Sequence, residues 1–404
     1  MRITLEGVCL ITAAVISLLY SLRISSLELL SISAIMLLIV WRSYREVRGY
    51  VDASKHIEVS RRISRAYVEE GDRIEISIEV GNNSDRYIQR IEIEDVIPML
   101  AKPIESPVVG ASLPPKHIAD LSYTLELTSP GRYDFSTLFI RLEDPLGIFV
   151  EEIATDIPGS VIAIPRPATF REILGIASRS PGTWMRGYSL GGLYDFYGVR
   201  DYQHGDDARK IMWSAYARTG KLLVREDLSE SRGRVVVVID IPAVSWELGA
   251  PPRSVAEDLA RISRGVVEAM VRSYNVVDAI ICEEYAARII RSIWSGNREA
   301  IYTIYSNLKH YSGCESSYIL YNSLKYMDIG PAHMAILITS PLGLAYSDPE
   351  ELVETMGIMS KNIYVILYNP QPIDSIYSRD LLKEAISILT SIGWRVIAIQ
   401  EITS

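Results

Sequence analysis

Two apolar runs at the start of the chain constrain its fold more than any other feature. Residues 3–22 are almost continuously apolar, and residues 24–41 form a second run that carries Glu28 near its start. A helix needs about 20 apolar residues to cross the hydrocarbon core of a bilayer, so the first run suffices and the second is close to sufficient. A tight turn at residues 23–26, which overlaps the start of the second run, joins the two. The sequence therefore predicts a transmembrane helical hairpin over residues 1–48, and the alternative is a signal peptide followed by a buried segment.

Basic residues flank the second apolar run on its far side. The residues that follow it include Arg42, Arg45, Arg48 and Lys55, whereas the turn contributes only Arg23. Segments rich in Lys and Arg next to a span stay in the cytoplasm. We therefore expect a two-pass protein of the cell membrane, held through residues 3–41, with its soluble domains in the cytoplasm.

The next region, residues 55–165, shows the alternation typical of β-strands. Residues 73–84 (RIEISIEVGNNS) and 87–98 (YIQRIEIEDVIP) alternate apolar and polar residues and end in turn signals. Residues 121–149 contribute two more strands around Ser129-Pro130-Gly131. Short strands at this spacing predict an immunoglobulin-like β-sandwich, which we interpret as a structural or interaction module.

From residue 234 onwards, apolar strands alternate with helices. The segment VVVVID at 235–240 is a fully apolar strand that ends in an aspartate. This alternation predicts a doubly wound α/β domain over residues 234–404, with a parallel sheet covered on both faces. Further strands are predicted at 276–283, 333–340, 362–369 and 394–401. Helices are predicted at 254–271, 297–308, 317–327 and 378–392.

The carboxyl ends of the predicted parallel strands are the expected place for a site. Asp240, Glu283 and the Thr339-Ser340 pair stand there. Asp240 either holds a metal or phosphate or caps the following turn, and the absence of partner oxygens nearby in sequence favours the cap. The three cysteines, Cys9, Cys282 and Cys314, lack metal-ligand spacing and predict no disulfide framework.

Residues 198–226 concentrate charges of both signs around a tryptophan. Within them, Gly205, Asp206 and Asp207 predict a turn into a helix over Ala208–Thr219 that ends at Gly220. Acids nearly match bases here and the chain carries a net charge of −9, so a nucleic-acid partner is not favoured. We interpret the stretch as a desolvated, ion-paired joint or a docking surface, with a catalytic Asp206/Asp207 pair as the alternative. The residues assigned to it are Arg200, Asp201, Tyr202, Gly205, Asp206, Asp207, Arg209, Trp213, Arg218, Lys221, Arg225 and Glu226.

Sequence signatures of common enzymes are missing. The chain contains neither a GxxxxGK[ST] phosphate loop nor a GxSxG elbow. The glycine-rich segment GYSLGG at 187–192 departs from GxGxxG, and we interpret it as part of a flexible connector over residues 166–233. We therefore expect that the protein is not an enzyme.

The stretch at residues 198–226 resembles the signature of the family called domain of unknown function 58. The segment DPLGIF at 144–149 is similar to that family's Asp-Pro-Phe-Gly-Leu-Phe segment, and the order of hairpin, sandwich and α/β domain matches its layout. The resemblance implies a von Willebrand factor A-like last domain. It also implies a partnership with MoxR-type AAA+ ATPases in the assembly or maturation of other proteins. The expected function is therefore that of a membrane-anchored, non-enzymatic adaptor or scaffold.

The same resemblance bears on a possible metal site. Many von Willebrand factor A-like domains bind a divalent ion through Asp-x-Ser-x-Ser, a threonine and a second aspartate. Here Pro242 and Val244 replace the two serines, Ser245 comes one position late, and Ser340 stands where the second aspartate is expected. Hard cations need several oxygen ligands, so we expect a degenerate site near Asp240, Ser245 and Ser340, without metal or other cofactor. The alternative is a metal-dependent adhesion protein that uses Asp240.

Overall fold

The computed structural model describes residues 1–181, 189–203, 211–229, 233–283, 286–297, 299–345, 349–370 and 376–400. The chain divides into two compact units, residues 1–163 and 164–404.

Two helices follow the first few residues of the chain. They are α1 (Leu5–Ile24) and α2 (Leu27–Ser54). The Thr4 hydroxyl caps α1 by accepting from the Gly7 amide, and Ser26 caps α2 in the same way. Both helices are long and apolar enough to cross a membrane, which confirms the predicted pair of apolar helices. The second helix continues beyond residue 41, where the apolar run ends, because residues 42–54 contain neither proline nor a turn sequence.

A β-sandwich fills the rest of the first unit. Its strands are β1 (Arg2–Ile3), β2 (Ile57–Ile63), β3 (Tyr67–Glu69), β4 (Arg73–Asn82), β5 (Ile88–Asp95), β6 (Ala101–Pro103), β7 (Val108–Leu113), β8 (Ile118–Leu127), β9 (Gly131–Glu143) and β10 (Phe149–Ile164). One sheet has the order β1-β10-β9-β5-β7, with β3 also paired to β10, and the other has the order β2-β4-β8-β6. Apolar side chains from both sheets, such as Ile76, Ile93 and Leu125, form one core.

The sandwich core contains one charged pair. The Arg61 guanidinium donates to both oxygens of the Asp95 carboxylate, and both side chains are fully buried. The Tyr123 hydroxyl donates to the same carboxylate at 2.6 Å. A buried pair of charges is tolerated when further hydrogen bonds satisfy it, as they do here.

The second unit begins with a short helix and a hairpin. The helix is α3 (Arg171–Ser178), and the hairpin strands are β11 (Ser189–Asp201) and β12 (Leu223–Ser229). The two strands pair antiparallel. The interpretation of residues 187–192 as part of a flexible connector is therefore wrong from residue 189 onwards, because the backbone there is held by strand pairing.

A six-stranded sheet forms the body of the second unit. Its strands are β13 (Gly233–Ile239), β14 (Asn275–Glu283), β15 (Ala286–Ile293), β16 (Met334–Thr339), β17 (Ile363–Tyr368) and β18 (Arg395–Ile399). They lie in the order β15-β14-β13-β16-β17-β18, and every neighbouring pair is parallel except β14 with β15. Strand β15 was not predicted, because its two arginines, Arg288 and Arg291, interrupt the apolar pattern at this half-exposed edge.

Helices cover both faces of this sheet. Helix α4 (Trp213–Thr219) lies beside the hairpin, and the helices on the sheet are α5 (Val255–Arg272), α6 (Ala300–Tyr305), α7 (Ser317–Tyr326), α8 (Pro341–Ala345), α9 (Pro349–Met359) and α10 (Ile376–Ser391). A hydrogen bond of 2.9 Å between Ser263 and Tyr305 holds α5 and α6 together on one face. Side chains of α7, α9 and α10 pack with Val236 and Val238 on the other. Together with the sandwich, this unit confirms a mixed α/β plus all-β chain.

Two of the cysteines are joined. Cys282 at the end of β14 and Cys314 in the loop before α7 form a disulfide, with their Cα atoms 5.5 Å apart. That separation lies in the range typical of disulfides. The expectation of no disulfide framework is wrong for this pair, because the parallel sheet brings the end of β14 next to the loop that leads into α7.

Candidate functional site

A buried carboxylate lies at the carboxyl edge of the parallel sheet. Asp240 follows β13 directly and accepts four hydrogen bonds from three hydroxyl groups. Ser317 donates to its two oxygens at 3.0 and 2.8 Å, Tyr321 at 3.0 Å and Thr339 at 2.7 Å. We call these four residues the Asp240 cluster. Ser317 and Tyr321 reach the same oxygen because they stand one turn apart on α7.

The Asp240 cluster is closed to solvent. Asp240 and Thr339 have no exposed surface. Burial raises the pKa of Asp240 above its usual range, and the bonds from Thr339, Ser317 and Tyr321 offset this only in part. Burial together with the neighbouring Asp240 raises the pKa of Tyr321 well above its usual value, which keeps its hydroxyl a donor.

A glycine lies against the cluster. A Cβ atom at Gly343 would lie 2.4 Å from both the Asp240 Oδ2 and the Thr339 Oγ1 atoms. These distances are far below van der Waals contact, so helix α8 can approach the cluster only with glycine at this position.

The other residues of the predicted degenerate metal site lie nearby but do not bond to Asp240. Ser245 is fully buried in the short 3-10 helix Ala243–Trp246, and Ser340 accepts from the Gly343 amide at 3.3 Å. The described part of the chain contains no group of three or more His, Cys, Asp or Glu residues that could hold a metal ion. The cluster has one carboxylate, and the surrounding hydroxyls donate to it, so this donor set does not fit a hard cation well.

The loop before α7 is fastened next to the cluster. Its residue Cys314 pairs with Pro242 in an isolated bridge and is bonded to Cys282. The Trp246 indole N–H donates to the Ser312 carbonyl at 2.8 Å. These contacts fix the start of α7 and therefore the position of Ser317.

The hairpin carries the first residues of the charged stretch. Arg200 pairs with Val224 and Asp201 with Leu223 in the ladder between β11 and β12. The Tyr202 amide donates to the Leu222 carbonyl at 2.9 Å, which continues the pairing by one residue. These residues are thus positioned by strand pairing.

The helix of the charged stretch is shorter than predicted. It begins at Trp213 rather than Ala208, because Ile211 forms a bridge with Val224 and the Met212 amide donates to the Leu223 carbonyl at 2.8 Å. Its predicted end is confirmed. Gly220 adopts φ 69° and its amide donates to the Tyr216 carbonyl.

Helix α4 is open to solvent along its whole length. It has no buried residue, and Trp213 and Tyr216 are 60% and 44% exposed. Their rings meet edge to face, with centroids 6.3 Å apart. Arg218 and Lys221 are also exposed. The prediction of a desolvated joint is therefore wrong for this helix, because no other element among the described residues covers it.

Gly205, Asp206, Asp207 and Arg209 lie outside the described residues. Arg225 and Glu226 are described by their backbone, which pairs with Val199 and Gly198 in the hairpin.

Residues 198–299 match the model of a protein family described as a protein of unknown function, DUF58. The chain carries a DUF58 domain. The resemblance inferred from residues 198–226 is thereby confirmed. The DUF58 match includes both Trp213 and Asp240, whereas Ser317, Tyr321 and Thr339 lie beyond its end.

No curated protein sequence matches this chain. Among solved structures, native alpha-2-macroglobulin from Escherichia coli (domain MG7 to the C-terminus) is 14% identical over 28% of this chain and 19% of that chain, with a TM-score of 0.22. The CARDB domain of a Pyrococcus furiosus protein is 13% identical over 27% and 94%, with a TM-score of 0.19. The cupredoxin domain of amoB from Nitrosocaldus yellowstonii is 9% identical over 28% and 88%, also at 0.19. Similarities this low carry no conclusion about fold or function.

Sequence reasoning anticipated part of the Asp240 cluster. It singled out Asp240 and the Thr339-Ser340 pair as strand ends, and the structure joins Asp240 to Thr339. It missed Ser317 and Tyr321. The available signal was the i, i+4 spacing of two hydroxyl residues at the start of a predicted helix. Nothing in the sequence indicated that this helix packs against the end of β13.

Proposed function

We propose that this protein is a membrane-anchored, non-enzymatic adaptor whose second unit docks a cytoplasmic partner through helix α4. The observation that carries this proposal is the exposure of Trp213 and Tyr216 on a helix that buries nothing. Exposed aromatic residues flanked by cations, here Arg218 and Lys221, are typical of protein–protein binding surfaces. Tryptophan, tyrosine and arginine are also the residues that dominate binding energies.

The Asp240 cluster supports a non-enzymatic role. Its carboxylate is buried, its hydrogen bonds are satisfied by hydroxyls of the same domain, and Gly343 leaves no room beside it. A general base or nucleophile must reach its substrate, and a group closed in this way does not. We therefore assign the cluster to holding the ends of β13 and β16 against α7.

The sheet of the second unit supports a von Willebrand factor A-like classification. Numbered along the chain, its strands lie in the order 3-2-1-4-5-6, and the third is the antiparallel one at the edge. The resemblance to DUF58 proteins supplies the partner in this proposal, which is a MoxR-type AAA+ ATPase that acts in the assembly or maturation of other proteins.

We infer a cytoplasmic orientation from the basic flank of α2. The pairing of Arg2 with Val150 and Ile3 with Phe149 supports a two-pass topology, because it keeps the start of α1 beside the sandwich that follows α2. The Cys282–Cys314 disulfide argues for the opposite orientation in any cell other than a hyperthermophile, because disulfides are rare in reducing cytosol. A reporter that is active only in the cytoplasm, fused after residue 404, is expected to be active. Activity of a periplasmic reporter alone would reverse the orientation.

The docking proposal is tested with the full-length chain in lipid nanodiscs and a purified MoxR-type ATPase, with and without ATP. We expect Trp213→Ala to weaken binding by about tenfold or more, as loss of an aromatic hot spot does. The matched control is Tyr326→Ala, which removes another aromatic residue that is 85% exposed in the same unit. Equal binding by wild type and Trp213→Ala would reject α4 as the docking surface.

A further inference from the structure

The turn between β9 and β10 presents an exposed leucine. The Asp144 carboxylate holds this turn by accepting from the Leu146 amide at 3.0 Å and the Phe149 amide at 2.7 Å. Gly147 adopts φ 68°, which completes the reversal. Asp144 is fully buried, whereas Leu146 at the tip is 62% exposed. The turn is therefore rigid, and its apolar tip has no covering group within the described part of the first unit.

The same turn is fastened to the start of helix α1. The Thr4 hydroxyl donates to the Gly147 carbonyl at 2.6 Å, and the Thr4 amide donates to the Ile148 carbonyl at 3.1 Å. A Cβ atom at Gly7 would lie 2.5 Å from the Ile148 carbonyl oxygen, so the helix approaches the turn closely because residue 7 is glycine. The height of the turn relative to α1 is thus fixed.

That height corresponds to a membrane boundary. Helix α1 has 20 residues, and at about 1.5 Å per residue it is about 30 Å long, which equals the thickness of a hydrocarbon core. The first helical turn of α1, where Thr4 and Gly7 contact the β9–β10 turn, therefore lies at the boundary between hydrocarbon and headgroups.

Aromatic residues of α2 mark the same level. Tyr44 packs edge to face on Phe149 at the end of the turn, with ring centroids 5.9 Å apart. Trp41 is exposed one turn before it, with the Arg45 guanidinium over its ring. Tryptophan and tyrosine concentrate at membrane interfaces, and arginine anchors there through its charge.

We propose that Leu146 inserts into the lipid interface, so that the β9–β10 turn is a third membrane contact beside the two helices. This inference rests on the membrane anchoring proposed above. Lipid is the group that contacts the exposed Leu146 side chain, because the hydrogen bonds between Thr4 and the β9–β10 turn hold Leu146 at the membrane boundary near the start of α1. With three contacts instead of a helix pair alone, the sandwich is held at a fixed tilt to the bilayer.

The test uses the full-length chain with the photo-crosslinking residue p-benzoylphenylalanine at one position at a time. Three positions have nearly equal exposure, namely Leu146 at 62%, Leu19 in α1 at 63% and Met99 at 66%. Met99 is the distal control. Its neighbour Leu100 accepts a hydrogen bond from Thr128, which lies close to the start of β9. Strand β9 has 13 residues and is about 40 Å long, and the β9–β10 turn lies at its other end.

The chain is reconstituted in nanodiscs of phosphatidylcholine and phosphatidylglycerol, irradiated and analysed for lipid adducts by mass spectrometry. We expect adducts at positions 19 and 146 and none above background at position 99. Adducts at position 19 with position 146 no higher than position 99 would overturn the lipid contact of Leu146 but leave the anchoring intact. Absence of adducts at position 19 would overturn the anchoring, and the proposed contact with it.

Discussion

The Asp240 cluster and helix α4 lie in one unit and differ in almost every physical respect. In the cluster, a buried carboxylate takes four hydrogen bonds from hydroxyls of its own domain. Helix α4 buries no residue and turns Trp213 and Tyr216 to solvent. The cluster has the polar groups that suggest chemistry, but the helix has the accessibility that binding requires.

Polar composition alone therefore does not identify a binding or catalytic site. A buried polar group must be paired, and when its partners come from the same domain, its hydrogen bonds stabilise the folded domain. The apolar surface of an exposed tryptophan is not buried in the unbound protein, so it can be buried when a partner binds. Substitutions in the cluster should therefore affect stability, and substitutions on α4 should affect binding.

The largest effect is expected from Asp240→Ala. It removes the acceptor of three buried hydroxyls, and leaving buried donors unsatisfied costs about 1–3 kcal/mol each before relaxation. We expect the second unit to lose about 3 kcal/mol or more of unfolding free energy in denaturant titrations. The control, Asp380→Ala, removes an exposed aspartate of α10 and should change stability by less than about 0.5 kcal/mol. Equal stability of the two variants would show that the cluster does not hold the sheet edge.

The next largest effect on stability is expected from a comparison of two glycine substitutions. Gly343→Ala forces a methyl group against Asp240 and Thr339, and overpacking of this kind costs about 1–3 kcal/mol. The matched control is Gly357→Ala in α9, where an added Cβ meets nothing within 4 Å. Because alanine favours helix, that control should be neutral or stabilising by up to about 1 kcal/mol. If both variants have the same melting temperature, the space beside the cluster is larger than described.

The pH dependence of stability gives a smaller effect with a definite sign. Burial raises the pKa of Asp240 in the folded chain above the value of about 3.9 of an unfolded aspartate. The folded chain therefore keeps a proton that the unfolded chain releases. The stability contribution of Asp240 is complete below about pH 4 and is lost as the pH rises through the folded pKa. Asp240→Asn does not titrate.

The corresponding measurement compares unfolding free energies of wild type and Asp240→Asn over a pH series. The stability of wild type relative to the variant should fall as the pH rises from about 4 towards neutrality. A difference that stays constant with pH would mean that Asp240 has the same pKa in the folded and unfolded chain.

The smallest effect on stability is expected on α4. Trp213→Ala should change the unfolding free energy by no more than about 0.5 kcal/mol, as surface substitutions do. In a buried joint the same change would cost about 3–5 kcal/mol. Denaturant titration of the full-length variant distinguishes these values, and a loss above about 2 kcal/mol would return Trp213 to a structural role.

Much of the α/β unit was predictable because its strands are apolar on both faces. The segments that became β13, β14, β16, β17 and β18 were all predicted from such runs. Strand β15 was missed because an edge strand with Arg288 and Arg291 lacks this signature. Helices α8 and α9 also were not predicted, since they follow β16 without a clear apolar period.

The site was less predictable because its geometry depends on distant residues. Thr339 is 99 residues from Asp240 and Ser317 is 77. Only the parallel sheet and the fastened loop bring them together. The start of α4 was misplaced for a similar reason, since the pairing of Ile211 with Val224 outweighs the local helix signal.

Docking through helix α4 is tested most directly by hydrogen–deuterium exchange of the full-length chain in nanodiscs, with and without a purified MoxR-type ATPase. Bound partner should slow exchange of the amides in residues 211–219 and leave those of residues 238–242 unchanged, since the latter are already protected inside the fold. Protection confined to the edge around Asp240, with residues 211–219 unaffected, would exclude helix α4 and make the carboxyl edge of the sheet the binding surface.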